Sequence, residues 1–281
     1  MLATIAIVRT TLLLAMGVFV LRISLRAQDT PAELRDIARN PFADVLKIPF
    51  QEDISFDAGP FNRTESSLQI QPVFPIQITD EWLLIPRIVA SALVYQPDPT
   101  QPGGGATGLG DTVATFFFTP VHVGKLIWGA GPALLLPSAT NSALGQGKWG
   151  LGPSVAVLTE PKWGSAGVLI QNLWSIGGNS QRAAVNQLEL DLSFSYNLPH
   201  GWYLTSAPTI TADWTQVTDE RWLVPVGGGA GRSFNLGKQA LDSNIALYWN
   251  AVRTANQLSP KWQISWQFTL LFPKQHKPPS P

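Results

Sequence analysis

Residues 261–272 read Lys-Trp-Gln-Ile-Ser-Trp-Gln-Phe-Thr-Leu-Leu-Phe, and this stretch decides the fold. Its large apolar side chains stand at alternate positions: Trp262, Ile264, Trp266, Phe268, Leu270 and Phe272. The positions between them carry amide or hydroxyl groups: Gln263, Ser265, Gln267 and Thr269. Successive side chains of a strand point to opposite faces, so the stretch predicts one aromatic, apolar face and one polar face. A half-buried soluble strand could alternate in this way too. With lipid on the apolar side and water on the other, the pattern is that of a transmembrane β-strand.

The same alternation recurs elsewhere in the chain. Between 187 and 197 the apolar positions are Leu188, Leu190, Leu192, Phe194 and Tyr196. The intervening positions are Gln187, Glu189, Asp191, Ser193 and Ser195. Charged groups in the middle of a strand cost little only where their face meets water, so this strand also predicts a wet interior.

Strand-like segments continue from Pro49 to Phe272. The sequence predicts twelve of them, at about 49–57, 64–74, 82–95, 109–119, 126–136, 149–158, 163–174, 187–197, 202–214, 221–231, 240–250 and 261–272. Their lengths suit tilted membrane strands, which need ~9–11 residues. The connections alternate, mostly, between shorter and longer, as the periplasmic turns and external loops of bacterial barrels do. The predicted fold class is all-β: a transmembrane antiparallel β-barrel of about twelve strands over 49–272, with a short N-terminal helix.

Composition narrows the function classes. Only 14% of the 281 residues are charged, against roughly 25% in soluble proteins, and the formal net charge is zero. No basic patch or basic-aromatic module points to nucleic acid. The chain has no cysteine and three scattered histidines, so neither a thiolate nor a histidine metal site is expected, and no cofactor is implied.

The first 27 residues have the features of a secretory signal peptide. Arg9 precedes an apolar run at 10–21, which is shorter than the ~20 residues of a spanning helix, and Ala27 offers a cleavage position. An uncleaved anchor or a mis-assigned start codon remain alternatives. No later segment has ~18 consecutive apolar residues, which excludes a helical membrane protein.

The segment 28–48 predicts a short helix over 31–39. Thr30 precedes it as a candidate cap, Pro31 suits the first turn, and Glu33 stands where a capping box needs it. The segment could plug the barrel, because twelve strands enclose more space than their side chains fill. It could instead lie in the periplasm as a docking arm, and both interpretations stay open.

Tryptophan placement gives a second argument for a barrel. Four of the eleven tryptophans fall at predicted periplasmic strand ends: Trp82, Trp128, Trp163 and Trp202. Six fall at predicted external ends: Trp149, Trp174, Trp214, Trp222, Trp249 and Trp262. Tryptophan favours the membrane–water interface, since its ring is apolar while its N–H needs a polar partner. Two aromatic girdles are therefore expected.

A string of motifs resembles one known family. In order, the motifs are Lys47-Ile-Pro-Phe-Gln51, Gln71-Pro-Val-Phe-Pro75, Trp82 through Arg87, Gly108-Leu-Gly-Asp111, Phe116-Phe-Phe-Thr-Pro120, Trp128-Gly-Ala-Gly-Pro132, Leu136-Pro-Ser-Ala-Thr140, Lys148-Trp-Gly-Leu-Gly-Pro153, Asn172-Leu-Trp-Ser175, Trp222-Leu-Val-Pro-Val226 and Leu270-Leu-Phe-Pro-Lys274. Over about 40–274 the chain resembles Gram-negative outer-membrane β-barrel proteins labelled as transporters or as phenol-degradation (MetA-pathway) proteins, and often mislabelled neuromedin U. The motifs are specific in combination and weak singly. The resemblance implies an outer-membrane channel for small molecules. The chain departs from the family mainly in its tail, Gln275–Pro281.

Polar residues on the predicted inner face are the candidate site. The candidate pore-lining residues are Gln69, Gln71, Arg87, Asp111, Gln171, Glu189, Asp191, Asp242, Gln263 and Gln267. Their charges could filter solutes as charged rings do in channels, or they could simply pair with one another. Asp111 could be an acidic group at the pore mouth or an ordinary turn residue. His122 and His200 fall in predicted periplasmic turns, away from strand centres, so a lipid-modifying Ser-His enzyme is the least favoured alternative.

The predicted function is passive, non-enzymatic uptake or efflux of small solutes, possibly apolar or aromatic, through the cell outer membrane of a Gram-negative bacterium. The alternative is a non-conducting structural barrel plugged by its N-terminal segment. Expected partners are outer-membrane lipid, an unidentified small solute and the barrel assembly machinery. In bacterial barrels generally, that machinery reads the terminal aromatic residue, which would be Phe272 in this chain.

Overall fold

The computed structural model describes residues 29–254, 256 and 258–272. The predicted signal peptide over 1–27 and the predicted tail over 273–281 lie outside these residues. In the described part of the chain, no helix has the length and apolar character needed to cross a membrane.

One α-helix precedes a long series of strands. The helix α1 spans Pro31–Arg39. The strands are β1 (Leu46–Ala58), β2 (Arg63–Ile70), β3 (Ile76–Gln77), β4 (Trp82–Pro97), β5 (Gly105–Gly108), β6 (Thr112–Pro120), β7 (Leu126–Leu136), β8 (Lys148–Thr159), β9 (Gly164–Gly178), β10 (Asn186–Asn197), β11 (Trp202–Ser206), β12 (Thr209–Asp213), β13 (Trp222–Leu236), β14 (Gln239–Val252) and β15 (Trp262–Phe272). Short 3₁₀ turns occupy Pro199–Gly201 and Thr218–Glu220.

These strands close into a twelve-stranded antiparallel barrel, which confirms the predicted fold class. Closure is made by β1, which pairs with β2 on one side and with β15 on the other. β5 and β6 are two pieces of one barrel strand, since both pair with β4. β11 and β12 are likewise two pieces of the strand between β10 and β13. The two-residue β3 pairs only with the start of β4.

Two predicted strands have different ends in the structure. One is interrupted by a proline, and the other continues through polar residues that form hydrogen bonds inside the barrel. The predicted strand 202–214 is interrupted at Ala207 and Pro208, because proline cannot donate to the ladder. The predicted strand 221–231 continues to Leu236, so only Gly237 and Lys238 connect it to β14. In the structure Ser233 donates to Asp242, which lies inside the barrel.

The first strand also begins earlier than predicted. β1 starts at Leu46, which pairs with Phe272, so the last residues of the predicted 28–48 segment belong to the barrel wall. The predicted strand 64–74 ends at Ile70, and Val73 keeps only isolated bridges to Lys47 and Arg87.

The alternation seen in residues 261–272 separates the two faces of the barrel. On β15, Gln263, Ser265, Gln267 and Thr269 line an internal cavity. Trp262, Ile264 and Trp266 are exposed on the outside. The strand is therefore polar inward and apolar outward, as its sequence predicts.

The helix α1 begins with the predicted capping box. The Thr30 hydroxyl accepts from the backbone N–H of Glu33, and the Glu33 carboxylate accepts from the backbone N–H of Thr30. This backbone hydrogen bond, followed by one from the Thr30 hydroxyl, lowers the pKa of Glu33 from its usual value. The helix entry is thus fixed by local contacts, and its position is fixed by the barrel.

Candidate functional site

A central cavity of about 450 Å³ lies inside the barrel. Eight of the ten residues that the sequence suggests as pore-lining surround it: Gln69, Gln71, Arg87, Gln171, Glu189, Asp191, Gln263 and Gln267. The other two lie elsewhere in the interior. Asp111 lines a smaller cavity near the end of the barrel that the sequence predicts to be external, and Asp242 is buried beneath the N-terminal segment at the other end, predicted to be periplasmic; the two ends are named by that prediction below.

The wall of the central cavity has a polar side and an apolar side. On the polar side, Gln71 donates to both Gln51 and Gln69, and Gln51 donates to Asp53. The apolar side is formed mainly by β4, β6, β8 and β9, with Ile85, Val89, Val113, Phe117, Ala156, Leu158 and Leu169. A molecule in this cavity would meet hydrogen-bonding groups on one side and hydrocarbon on the other.

Charged side chains reach across the middle of the lumen. Arg87 on β4 and Asp191 on β10 form an ion pair with 3.8 Å between Nη2 and Oδ2. Arg87 also donates to Gln71, and Thr209 donates to the other carboxylate oxygen of Asp191. Glu189 precedes Asp191 on the same inward face and lines the same cavity.

The external end of the lumen is narrowed by the loop 137–147, which joins β7 to β8. The Asp111 carboxylate accepts from the backbone N–H groups of Ala139, at 3.2 Å, and Gln146, at 2.5 Å. Leu144 of the same loop is buried and lines a cavity of about 220 Å³. Asp111 therefore holds this loop against the barrel interior, and its role as an acidic group at the pore mouth stays a prediction.

The external and central cavities share part of their lining. Val113 and Glu189 contribute to both of them. These two side chains, one apolar and one acidic, therefore lie between the two cavities.

The N-terminal segment, residues 29–45, crosses the periplasmic end of the lumen. Leu34 of α1 is fully buried against Ala240 and Leu271, which lie on β14 and β15. Beyond the helix, Phe42 packs in an apolar cluster on the other side of the barrel, with its ring 5.6 Å from that of Phe117. The segment thus spans from one wall to the opposite one and forms the floor of the central cavity.

Asp242 anchors this segment from inside the wall. Its carboxylate, which is fully buried, accepts from Arg39 Nη2 at 2.6 Å. Tyr203 and Ser233 also donate to it, and the Arg39 guanidinium lies over the Tyr203 ring at 4.6 Å. The predicted pore charge Asp242 therefore faces the barrel interior but is occupied in holding the N-terminal segment.

Hydrogen bonds from three further side chains fix the segment to the barrel. Lys47 Nζ donates to the backbone carbonyls of Ile37 and Asn40. The Asn40 side chain donates to Glu160 in a turn at the same end, where burial raises the pKa of that carboxyl. Arg35 Nη1 donates to the Leu198 carbonyl at 3.0 Å.

Phe42 separates two cavities. It lines the central cavity and also a third cavity of about 170 Å³, which Asn40, Asp44 and the β6–β7 turn help to form. The third cavity lies on the periplasmic side, so the Phe42 ring stands between the lumen and that end of the barrel.

Sequence reasoning missed several residues of this site. Arg39, Phe42 and Lys47 lie in or next to the N-terminal segment, and nothing in their local pattern indicates contacts with strands far along the chain. Asp53 lines the central cavity beside Gln51. It shares the parity of Gln51, but the acidic Glu52 on the other face obscures the alternation there.

Nine of the ten tryptophans that the sequence assigns to strand ends lie within three residues of one, and Trp174 lies four residues before the end of β9. At the periplasmic end Trp82 and Trp128 stack edge to face, with ring centroids 6.1 Å apart. At the external end two further pairs form: Trp214 with Trp222, and Trp249 with Trp262. The remaining four, with rings exposed, are Trp149, Trp163, Trp174 and Trp202. Their location at a membrane interface remains a prediction.

The other singled-out residues lie apart from the cavities. His122 is in the connection between β6 and β7, and His200 is in the 3₁₀ turn before β11. Phe272 ends β15 opposite Leu46.

Comparison with known proteins supports the fold. No family model matches the chain, and no curated protein matches it. The COG4313 outer membrane channel from Pseudomonas putida F1 is 16% identical, with a TM-score of 0.58 over 81% of this chain and 94% of that one. The NanC porin is 11% identical, with a TM-score of 0.46 over 82% and 100%. The Pseudomonas putida toluene transporter TodX is 11% identical, with a TM-score of 0.40 over 86% and 91%. The first likeness supports the outer-membrane β-barrel fold of this chain.

Proposed function

We propose that this protein is a passive channel for small solutes in the bacterial outer membrane. The observation that carries the proposal is the series of cavities along the barrel interior. The external and central cavities share Val113 and Glu189, and the central and periplasmic cavities share Phe42. A solid structural barrel would fill this space with side chains.

The walls of the central cavity favour small amphipathic solutes. Its volume, about 450 Å³, lies within the range of small-molecule sites, ~300–1,000 Å³. Glutamine side chains offer donors and acceptors on one wall, while Ile85, Phe117 and Leu158 offer apolar surface on the other. An uncharged ring or short chain with polar groups along one edge would match both walls.

The N-terminal segment is the proposed periplasmic gate of this channel. It closes the floor of the central cavity through Arg39, which binds Asp242, and Phe42, which packs on Phe117. Because a few side chains hold it, the segment can leave the lumen while the closed barrel stays intact.

Conductance in planar lipid bilayers tests both parts of the proposal. We expect brief or small openings from the full chain, and longer or larger ones from Arg39→Gln, in which the gate loses its ionic contact. Liposome influx of uncharged amphipathic solutes should rise in the same order. If the full chain and Arg39→Gln both insert but neither passes ions nor solutes, the non-conducting structural barrel is the correct interpretation.

The remaining expectations concern assembly. We propose that the mature chain is delivered to the outer membrane by its N-terminal signal, and that Phe272 is read by the assembly machinery. Outer-membrane yield of Phe272→Ala tests the second statement, since normal yield would contradict it.

A further inference from the structure

The outer face of the barrel carries a depression that the proposed channel does not use. It has a volume of about 430 Å³ and spans β11, β13, β14 and β15. Trp202 and Trp266 form its two sides, and Ala230 and Ile245 lie between them. Within the barrel these residues belong to adjacent strands, with Ala230 paired to Ile245 and Ile245 paired to Trp266.

The depression arises from the side-chain sizes along β13. The outward Ala230 of β13 is small, whereas Phe234 on the same strand and the flanking Trp202, Ile245 and Trp266 are large. The last three are exposed. Trp266 is also held in place, because its indole Nε1 donates to Ser243 at 3.1 Å. The result is an apolar groove with defined sides on the outward face of the sheet.

A cation stands at one end of this groove. Arg232 is exposed, lines the groove and is paired directly with Trp202, with its guanidinium 5.4 Å from that ring. Among the described residues no carboxylate forms an ion pair with it. The exposed Lys238 follows in the turn at the same end of the barrel. A guanidinium on the outer face of a barrel is costly at mid-membrane and tolerated near the interface, where lipid phosphates lie.

We propose that this groove binds one phospholipid of the periplasmic leaflet, with an acyl chain between Trp202 and Trp266 and the phosphate on Arg232. The leaflet follows from the topology, since Arg232 lies near the two-residue turn at the end where the N-terminal segment enters the lumen. The inference rests on the proposed outer-membrane location and is independent of whether the barrel conducts.

The charges favour an anionic lipid over a zwitterionic one. Arg232 lines the groove, and Lys238 adds a second positive charge in the turn at the same end of the barrel. A basic residue near an anionic membrane surface contributes about 1 kcal/mol, or about fivefold in affinity. Phosphatidylglycerol should therefore bind more tightly than phosphatidylcholine with the same acyl chains.

Native mass spectrometry of the detergent-purified protein, titrated with each lipid, tests the proposal. We expect one retained phosphatidylglycerol per barrel and about fivefold weaker binding for Arg232→Gln. Ala230→Phe fills the groove with a large side chain and keeps Arg232, so this variant should bind phosphatidylglycerol more weakly as well. The matched control is Arg221→Gln, since Arg221 lies 5.2 Å from the Trp214 ring at the opposite end of the barrel. This control should retain the lipid.

Three results would overturn the proposal. They are wild-type affinity of Arg232→Gln for phosphatidylglycerol, equal loss of the lipid in all three variants, and retention of lipopolysaccharide in place of the phospholipid. Heat-modifiable migration in gels checks that each variant is a folded barrel, and Arg232→Gln keeps the test decisive if Ala230→Phe does not fold. If the barrel conducts ions but binds no phosphatidylglycerol, only the lipid site is rejected. If it binds phosphatidylglycerol but does not conduct, only the channel function is rejected.

Discussion

The guanidinium of Arg87 meets the carboxylate of Asp191 across the interior of the barrel, with 3.8 Å between the two charged atoms. The strands that carry them, β4 and β10, do not pair, and β6, β7, β8 and β9 lie between them along the wall. Both side chains are partly open, at 21% and 23% exposure. A solute or ion in the central cavity would therefore lie beside this pair of opposite charges.

Neutralising one member of this pair should change ion selectivity. In Arg87→Gln the lumen keeps the carboxylates of Glu189 and Asp191, so cations should be favoured. In Asp191→Asn the cation remains and the preference should move towards anions. A charge 4 Å away contributes about 1 kcal/mol in a water-like medium, so the permeability ratio should shift by about fivefold. Reversal potentials measured in a salt gradient give this ratio.

The double variant Arg87→Gln/Asp191→Asn is the control for shape. It removes both charges while keeping similar volumes, so its selectivity should return close to that of the unmodified protein. Unchanged reversal potentials in both single variants would show that ions do not pass this pair.

Replacing Asp242 should release the N-terminal segment. Asp242→Asn removes the charge that Arg39 binds at 2.6 Å. Breaking a buried ion pair by changing one partner costs about 3 kcal/mol, part of which the freed segment can avoid by leaving the lumen. Proteinase K should then cut residues 29–45 faster, while the barrel stays resistant.

The external mouth offers a matched control for this experiment. Arg63 donates to the carbonyls of Gln101 and Gly104 in the loop between β4 and β5. Arg63→Gln should leave cleavage of the N-terminal segment unchanged. Equal protection of that segment in Asp242→Asn and the unmodified protein would mean that packing alone holds it.

The sequence predicted the barrel well because alternate residues of each strand face water and lipid, and their polarity alternates accordingly. The local pattern alone is enough to assign Gln263 and Gln267 to the inner face and Trp262 and Trp266 to the outer face. Contacts such as Arg39 with Asp242 join residues 203 positions apart, and no local period encodes them. The position of the N-terminal segment as the floor of the central cavity is therefore visible only in the structure.

Asp111 shows the same limit at the level of one residue. Its neighbours Gly108 and Gly110 indicate a turn, and this much was visible in the sequence. Its carboxylate accepts from the backbone N–H groups of Ala139 and Gln146, and these two partners depend on how the loop 137–147 folds back over the lumen. Only the three-dimensional arrangement shows that this turn residue holds a loop that is distant in the sequence.

Changing Asp111 should therefore open the external mouth. Asp111→Ala leaves the N–H groups of Ala139 and Gln146 without their acceptor, a loss of about 1–3 kcal/mol that water in the mouth partly offsets. The loop 137–147 should become sensitive to protease added outside intact cells, and conductance should rise. Asp98→Ala is the control, because that loop carboxylate accepts from Thr100 within its own loop. Equal sensitivity in both variants would contradict the anchoring role.

The contact between Phe42 and Gly129 allows a more selective test of the gate. A Cβ added at Gly129 would lie 2.5 Å from the Phe42 ring, while its nearest contact on the wall is Phe117 Cβ at 3.3 Å. Gly129→Ala should therefore displace the ring, since overpacking costs about 1–3 kcal/mol and the segment is easier to move than the barrel. We expect larger or longer channel openings and faster proteolysis of residues 29–45.

A second substitution separates this effect from damage to the barrel. Phe42→Ala removes the ring and should open the gate by itself. Adding Gly129→Ala to Phe42→Ala should then cause little further change, because the clash has no partner. Gly124→Ala, where a Cβ meets nothing within 4 Å, should behave as the unmodified protein. If Gly129→Ala lowers barrel stability equally with and without the Phe42 ring, Gly129 is needed for packing of the barrel wall and not for the position of the N-terminal segment.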